Sequence, residues 1–232
     1  MGASRPTDVG VVIPAAGASL RMGFDKLLVK IGDRPVIAHT IGVFQDSPSV
    51  GEIVVVASES NLEPIKRLVA DFAFTKVSIV CTGGARRQDS VWNGISSLST
   101  RDWVVIHDGA RPFVDETLIR TGLAEALPLG SAVAGVPVKE TIKTADERGI
   151  VQSTLPRQNL WSVQTPQVFR CDIIVDAYRH VIQDVTDDAQ LVELRGWPVK
   201  VYMGSYDNIK ITSPEDLDLA RLILTRRGEM PK

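Results

Sequence analysis

Cationic side chains beside a loop of small residues are the first feature of this sequence that could do chemistry. The segment P-A-A-G-A-S-L-R-M-G-F-D-K, residues 14–26, follows a short apolar run and carries Arg21 and Lys26. Small residues allow main-chain N–H groups to approach phosphate oxygens closely. The spacing of a Walker loop is absent, and the dinucleotide fingerprint G-x-G-x-x-G fails at Ser19. The segment therefore predicts a polyphosphate site, and an ordinary strand-to-helix turn with surface cations is the alternative.

A second loop, with paired glycines, follows a later apolar run. Its sequence is T-G-G-A-R-R-Q-D-S, residues 82–90, and Ser90 falls in the first turn of the next predicted helix. Gly83 and Gly84 permit backbone conformations and close approaches that a side chain would block. The loop predicts a place where main-chain groups contact the edge of a nucleobase, and a simple turn is equally compatible with it.

An acidic residue lies directly after a buried strand. In V-V-I-H-D-G-A-R-P, residues 104–112, Asp108 follows the apolar run, and open α/β sheets bind ligands beyond the carboxyl ends of their strands. An ionised carboxylate there suits a divalent cation or a ribose hydroxyl, and a capping or salt-bridged aspartate is the alternative. His107 is expected to be a neutral imidazole that is packed or hydrogen-bonded, as are His39 and His180.

Further polar clusters lie in the C-terminal half. Arg157 and Thr165 flank Trp161, and Lys210 lies just before the last predicted helix. The run Thr186–Asp188 is typical of a helix cap followed by first-turn acids. The charged residues do not form an arrangement typical of covalent catalysis.

Apolar β-branched runs alternate with helical segments along most of the chain. The predicted strands are Val9–Ile13, Ile53–Ala57, Val77–Val80, Trp103–Ile106, Ala132–Val138 and Val199–Met203. The predicted helices are Pro35–Phe44, Leu62–Phe72, Gln88–Leu98 and Glu116–Leu127, followed by a last helix that starts at Ser213 and Pro214. Runs that are apolar on both faces suit central strands of a mostly parallel sheet. The alternation predicts an α/β fold built from βαβ units.

Residues 139–160 interrupt this alternation. Two short polar stretches, Glu140–Thr144 and Ile150–Leu155, flank the turn signal Asp146–Gly149 and predict a β-hairpin. The hairpin has too little apolar content to be stable alone. It either packs on its own domain or forms an arm that embraces a second subunit.

Length, composition and charge exclude several classes of protein. The chain has 232 residues, 44% of them hydrophobic, and a formal net charge of −2. No general basic surface exists to bind nucleic acid, and no apolar window is long enough to span a membrane. The N-terminal residues lack the apolar core of a signal peptide, and Cys81 and Cys171 are expected to be reduced, packed thiols. We expect a cytoplasmic protein without nucleic-acid or membrane partners.

Eight motifs follow one another from about Val9 to about Arg226: P-A-A-G-x-x-x-R-M, G-G-x-x-R-x-D-S-V, H-D-x-A-R-P, V-x-x-T-I-K, P-R-x-x-L-W, T-P-Q-x-F, T-D-D-A and D-N-I-K-I-T-x-P-E-D-L. The motifs and their order resemble those of the 2-C-methyl-D-erythritol 4-phosphate cytidylyltransferase family. The resemblance implies transfer of a cytidylyl group from CTP to methylerythritol phosphate, with release of pyrophosphate, in non-mevalonate isoprenoid biosynthesis. It also implies a single Rossmann-like nucleotidyltransferase domain over residues 1–232, with a mostly parallel sheet, helices on both faces and a projecting hairpin arm that reaches across a homodimer.

The resemblance also implies which residues contact the ligands. Its CTP contacts fall on Ala15, Ala16, Gly17, Arg21, Lys26, Gly84, Ser90, Asp108 and Gly109. Its methylerythritol phosphate contacts fall on Thr141, Arg157, Thr165, Thr186 and Lys210, with Arg111 nearby. It implies catalytic roles for Arg21, Lys26, Arg157 and Lys210, and a role for Asp108 in holding Mg²⁺. Thr141 and Arg157 are expected to come from the partner subunit.

The sequence departs from the family pattern at four positions, of which Asp25 affects the site assignment most, and two other functions are alternatives to the one implied. Asp25 places an acid beside Lys26, where the family commonly has proline. A cytidylyltransferase for another polyol phosphate, such as ribitol 5-phosphate, would share the CTP loop and differ around Thr165 and Lys210. A nucleotide-binding regulator without turnover is disfavoured by the full set of charged site residues.

Overall fold

The structure is a computed structural model that describes residues 8–17, 25–99 and 102–229. The strands are β1 (Val9–Ala15), β2 (Lys30–Ile31), β3 (Arg34–Pro35), β4 (Glu52–Ala57), β5 (Val77–Thr82), β6 (Trp103–Ile106), β7 (Ser131–Pro137), β8 (Lys143–Ala145), β9 (Val151–Thr154), β10 (Trp161–Arg170) and β11 (Lys200–Met203). The helices are α1 (Val36–Asp46), α2 (Leu62–Asp71), α3 (Arg87–Ser97), α4 (Glu116–Ala126), α5 (Cys171–His180), α6 (Asp188–Leu194) and α7 (Pro214–Arg227). Within the described ranges, no helix has the length and apolar character needed to cross a membrane.

Seven of the described strands form one large mixed sheet, with the order β11-β7-β10-β6-β1-β4-β5, while β2 pairs with β3 and β8 with β9 in two small sheets. β1 pairs in parallel with both β4 and β6, and β4 pairs in parallel with β5. β10 lies antiparallel between β6 and β7. The chain runs from β1 outward to β4 and β5, and then returns to β6 on the other side of β1. The winding therefore reverses at β1, and such a reversal opens a crevice at the carboxyl ends of the strands.

Helices cover both faces of the sheet, as expected. Ile53 and Val55 of β4 pack in a buried cluster with residues of α1, α2, α4 and α7. Val54 and Val56 pack in a second cluster with residues of α3, α5 and α6. Because successive strand residues point to opposite faces, a run that is apolar throughout fills both clusters.

Helix α7 begins where the sequence predicts, at Ser213 and Pro214. The Ser213 side chain accepts from the backbone of the first turn, and Asp216 accepts in return from the N–H of Ser213 at 2.9 Å. Gly228 adopts a left-handed conformation, φ 70°, that closes the C-terminal end. This capped helix is anchored in the core, and it holds the preceding loop with Lys210 at the edge of the sheet.

Strand β10 and helix α5 were not predicted, and only the start of helix α6 was, at Thr186–Asp188. The middle of β10 has the polar residues Gln164, Thr165 and Gln167 around Pro166, and all three polar side chains are buried. Such a run lacks the apolar signal of a central strand. Tertiary hydrogen bonds stabilise it instead; for example, Gln167 Nε2 donates to Asp187 Oδ2 at 2.9 Å.

The predicted hairpin is present, with shorter strands than expected. β8 and β9 are joined through the turn Asp146–Gly149, in which the Gly149 N–H donates to the Asp146 carbonyl at 2.9 Å. Ile150 is 58% exposed and Val151 is 52% exposed. Within the described residues, the hairpin thus leaves apolar side chains uncovered rather than packing them on the body of its own chain.

Candidate active site

A cavity of about 260 Å³ lies at the carboxyl ends of β1, β5 and β6, where the winding of the sheet reverses. Its lining includes Ala15, Ala16, Gly17, Lys26, Gly84, Ser90, Asp108, Gly109 and Lys210. These are all the residues predicted for CTP except Arg21, together with Lys210. Arg21 lies outside the described residues. The three motif loops, distant in sequence, therefore meet at one site.

Asp108 is the electrostatic centre of the cavity. Its carboxylate lies 2.9 Å from Lys210 Nζ, 3.4 Å from Arg87 Nη2 and 3.6 Å from Arg111 Nε. Burial alone would raise the pKa of Asp108, but the charges of Arg87, Lys210 and Arg111 outweigh it and hold the pKa well below its usual range. Asp108 is therefore ionised throughout the neutral range, and the cluster of four side chains has a net positive charge.

The glycine loop packs tightly against the loop after β1. A Cβ atom on Gly83 would clash with Ser90 Oγ and would lie 2.7 Å from Ala16 Cβ. The Gly84 N–H donates to Ser90 Oγ at 3.1 Å, and Ser90 Oγ donates to the Arg86 carbonyl at 3.1 Å. Ser90 thus holds the loop in place, and Gly84 lines the cavity while Gly83 packs behind it against Ser90 and Ala16.

Asn61, which the sequence reasoning missed, anchors the segment that carries Lys26. Its Nδ2 donates to the Ala15 carbonyl at 3.1 Å and to Asp25 Oδ2 at 2.8 Å. Asp25 Oδ1 also accepts from the Leu27 N–H at 3.0 Å. The acid beside Lys26 therefore ties this segment to the end of β1. The only sign of this role in the sequence was that Asn61, a polar residue, lies shortly after the predicted strand Ile53–Ala57.

Arg87 and Asp188 form a second interaction that the sequence reasoning missed. Arg87 Nη2 donates to Asp188 Oδ2 at 2.9 Å, and Tyr178 Oη donates to Asp188 Oδ1 at 2.6 Å. Asp188 is 1% exposed, so it is a buried counterion rather than only a first-turn acid. The helix predicted to begin at the run Thr186–Asp188 is α6, but its cap is Asp187 and not Thr186: Asp187 accepts from the Gln190 N–H at 3.0 Å. In the sequence, the only indication of this pair was Arg87 itself, the arginine of the motif G-G-x-x-R.

Some of the residues predicted for the second substrate lie around Asp108. Besides Lys210 and Arg111, Thr165 contacts it, since Thr165 Oγ1 accepts from the Asp108 N–H at 3.1 Å. Arg111 Nη1 donates to the Asn208 carbonyl at 2.7 Å. These contacts place the Thr165 and Lys210 segments beside Asp108, although Thr165 and Arg111 do not line the cavity itself.

The remaining predicted contacts lie apart from the cavity of their own chain. Thr186 is exposed and donates to Gln190 Oε1 from both its N–H and its hydroxyl. Thr141 and Arg157 lie exposed at the base of the hairpin, where Arg157 Nη1 donates to the Lys139 carbonyl at 2.6 Å. The structure does not bring these three residues to Asp108 within one chain.

His107 is neutral and hydrogen-bonded, as expected. Its Nε2 lies 3.1 Å from the Arg111 carbonyl, which can only accept, so Nε2 carries the ring proton. Burial lowers the pKa of His107 to about 4. Nδ1 is therefore an acceptor, and it lies 3.1 Å from Thr165 Oγ1.

A cavity at the winding reversal of a mixed, mostly parallel sheet, lined by small-residue loops and by cations around one carboxylate, is typical of α/β proteins that bind phosphorylated ligands. The sequence model of the 2-C-methyl-D-erythritol 4-phosphate cytidylyltransferase family matches residues 9–226. The chain belongs to this family.

Named relatives and solved structures agree with this assignment. A 2-C-methyl-D-erythritol 4-phosphate cytidylyltransferase of Dehalococcoides mccartyi is 53% identical over 219 residues, covering 94% of this chain and 96% of the relative. The 4-diphosphocytidyl-2C-methyl-D-erythritol synthase of Anaerococcus prevotii superposes with a TM-score of 0.83 at 29% identity, covering 95% of this chain and 100% of that one. The cytidylyltransferase structure from Thermus thermophilus has a TM-score of 0.78 at 32% identity, with coverages of 94% and 99%.

Proposed function

We propose that this chain transfers the cytidylyl group of CTP to 2-C-methyl-D-erythritol 4-phosphate, giving 4-diphosphocytidyl-2-C-methyl-D-erythritol and pyrophosphate in non-mevalonate isoprenoid biosynthesis. The observation that carries the proposal is the cavity at β1, lined by every described residue that the family resemblance assigns to CTP. The relatives named for this substrate match nearly the whole chain.

The chemistry requires two anionic substrates to meet. CTP carries about four negative charges at pH 7, and a phosphomonoester about 1.5 to 2. Lys26 and Lys210 line the cavity and offset part of this negative charge. Arg87 and Arg111 form ion pairs with Asp108. We propose that Arg21 adds a further cation. An oxygen of the methylerythritol phosphate attacks the α-phosphorus of CTP in line, and the bond to pyrophosphate breaks. The protein needs no nucleophile, because positioning and charge stabilisation supply the catalysis.

The site fits a magnesium ion that is held mostly by the substrate. In residues 8–17, 25–99 and 102–229, no group of three or more His, Cys, Asp or Glu side chains could form a metal site. Mg²⁺ is commonly bound by one or two carboxylates together with substrate phosphates. Asp108 would supply the carboxylate, and the ion would neutralise charge on the triphosphate.

Removal of divalent cations should abolish turnover. Since the described lining of the cavity offers one carboxylate, that of Asp108, the ion should leave readily with chelator and return with added Mg²⁺. We expect pyrophosphate release to stop in EDTA and to recover when MgCl₂ exceeds the chelator. Activity that persists in EDTA would contradict the role of Asp108 as a metal ligand.

Base selection should depend on the loop fixed by Ser90. If main-chain groups of the loop that Ser90 holds in place pair with the edge of cytosine, UTP leaves those main-chain groups unpaired, and we expect kcat/KM for CTP to exceed that for UTP by about 10²-fold or more. Ser90→Ala should reduce this ratio. Ser97→Ala is the matched control, because Ser97 Oγ donates to the Asn93 carbonyl at 2.8 Å on the exposed side of the same helix. Equal kcat/KM for the two nucleotides in the wild type would contradict the assignment.

We also propose that the hairpin arm completes the active site of a second subunit. The exposed apolar residues of the arm and of the adjacent sheet edge, Ile150, Val151, Val163 and Met203, support a packed partner. Arg157 offers a planar donor fork that is well suited to a phosphomonoester. In such a homodimer, Thr141 and Arg157 of one chain would meet Lys210 of the other.

Direct assay separates the proposed reaction from its alternative. Pyrophosphate release should be measured with CTP and either methylerythritol phosphate or ribitol 5-phosphate. We expect turnover with the first and little with the second; preference for ribitol 5-phosphate would overturn the substrate assignment.

We place the reaction in the cytoplasm, a compartment suited to Cys81 and Cys171, which are thiols and not halves of a disulfide.

A further inference from the structure

The Thr165 hydroxyl joins two segments that are far apart in sequence. Its Oγ1 accepts from the Asp108 N–H at 3.1 Å and lies 3.1 Å from His107 Nδ1. Thr165 belongs to β10, at the point where the pairing of β10 with β7 shifts in register between Val163 and Gln167. The backbone hydrogen bonds between β10 and β7 therefore do not fix the position of Thr165, and side-chain contacts hold it instead.

His107 is placed to hold that hydroxyl. The ring is fully buried and packs against Phe44, with ring centroids 5.1 Å apart. Its second nitrogen, Nε2, donates to the Arg111 carbonyl at 3.1 Å, so both ring nitrogens have a hydrogen-bond partner. His107 is not among the residues that line the cavity.

The hydrogen-bonding capacity of Thr165 is then almost fully used. A hydroxyl has one proton and two lone pairs. One lone pair accepts the Asp108 N–H and the proton is donated to His107 Nδ1, so one lone pair remains. Without the acceptor on His107, the hydroxyl could rotate and the Asp108 main chain would lose a fixed partner.

We infer that His107 is a positioning residue that acts through the Thr165 hydroxyl, holding it and the Asp108 main chain in the orientation that the polyol phosphate meets. The inference rests on the proposed function, in which Thr165 contacts this substrate. It assigns no direct contact between His107 and either substrate.

Two substitutions at His107 separate its two hydrogen bonds. His107→Gln can keep a donor near Nε2 for the Arg111 carbonyl, but it loses the acceptor for Thr165. His107→Asn can keep an acceptor near Nδ1 and loses the donor. We expect His107→Gln to lower kcat/KM for methylerythritol phosphate about tenfold, with the KM for CTP changed less than about twofold, and His107→Asn to restore most of that loss.

A double-mutant cycle with Thr165→Val tests whether the effect passes through the hydroxyl. We expect His107→Gln to add almost nothing in the Thr165→Val background, whereas a merely structural role would lower Tm and give additive losses. His39→Gln is the matched control, since His39 Nε2 lies 2.8 Å from the Ile31 carbonyl and does not line the cavity.

The outcomes are distinguishable. Equal losses in His107→Gln and His107→Asn, or additivity with Thr165→Val, would overturn the inference while leaving the proposed reaction intact. Unchanged kinetics in Thr165→Val would overturn both the assignment of Thr165 as a substrate contact and the inference that depends on it. Absence of turnover in the wild type would instead reject the proposed function.

Discussion

Replacing Lys210 by methionine is expected to lower kcat by about 10²- to 10³-fold while the KM for CTP changes little. Lys210 Nζ lies 2.9 Å from Asp108 Oδ2 at the lining of the cavity. Methionine keeps an unbranched side chain of similar length and removes the charge. Because negative charge shifts between the reacting phosphates in the transition state, loss of this cation should affect turnover more than ground-state binding.

Lys66→Met is the matched control. Lys66 Nζ pairs with Glu63 Oε1 at 2.8 Å on the exposed surface of α2, and exposed pairs contribute little to stability. Its kcat should equal that of the wild type. Lys26→Ala and Arg21→Ala are expected to resemble Lys210→Met. Near-normal kcat in Lys210→Met, with unchanged Tm, would remove Lys210 from the catalytic machinery.

Mixing inactive Lys210→Ala and Arg157→Ala chains is expected to restore roughly a quarter of wild-type activity after subunit exchange. If each site combines Lys210 of one chain with Arg157 of the other, a mixed dimer has one site with both lesions and one site with neither. About half of the dimers in an equal mixture are mixed, and each has one intact site. If the arm serves its own chain, every site has a lesion and no activity returns.

The reverse mixture provides the control. A chain with both substitutions is exchanged with the wild type in equal amounts. A shared site leaves only the wild-type homodimers active, which gives roughly a quarter of the full activity, whereas a site within one chain gives roughly half. No recovery in the first mixture together with half activity in the second would show that Thr141 and Arg157 act within their own subunit.

The sequence alone determined the central elements and the places where chemistry could occur. β1, β4 and β6 are continuous apolar runs, and such runs are stable only between two layers of helices. Small residues follow β1, the paired glycines follow β5, and Asp108 lies just after β6. Since parallel strands end at a common edge, these positions favoured a ligand site there, and the family resemblance implied that the loops form one CTP site.

Only the tertiary structure decided which polar groups are buried and which partners hold them. The polar middle of β10 is stable as a strand because Gln167 and Thr165 find partners on other segments, such as Asp187 and Asp108. Arg87 meets Asp188 across a separation of 101 residues. Local periodicity reports the burial of apolar faces, whereas a buried polar side chain depends on long-range hydrogen bonds that form only once the chain has folded.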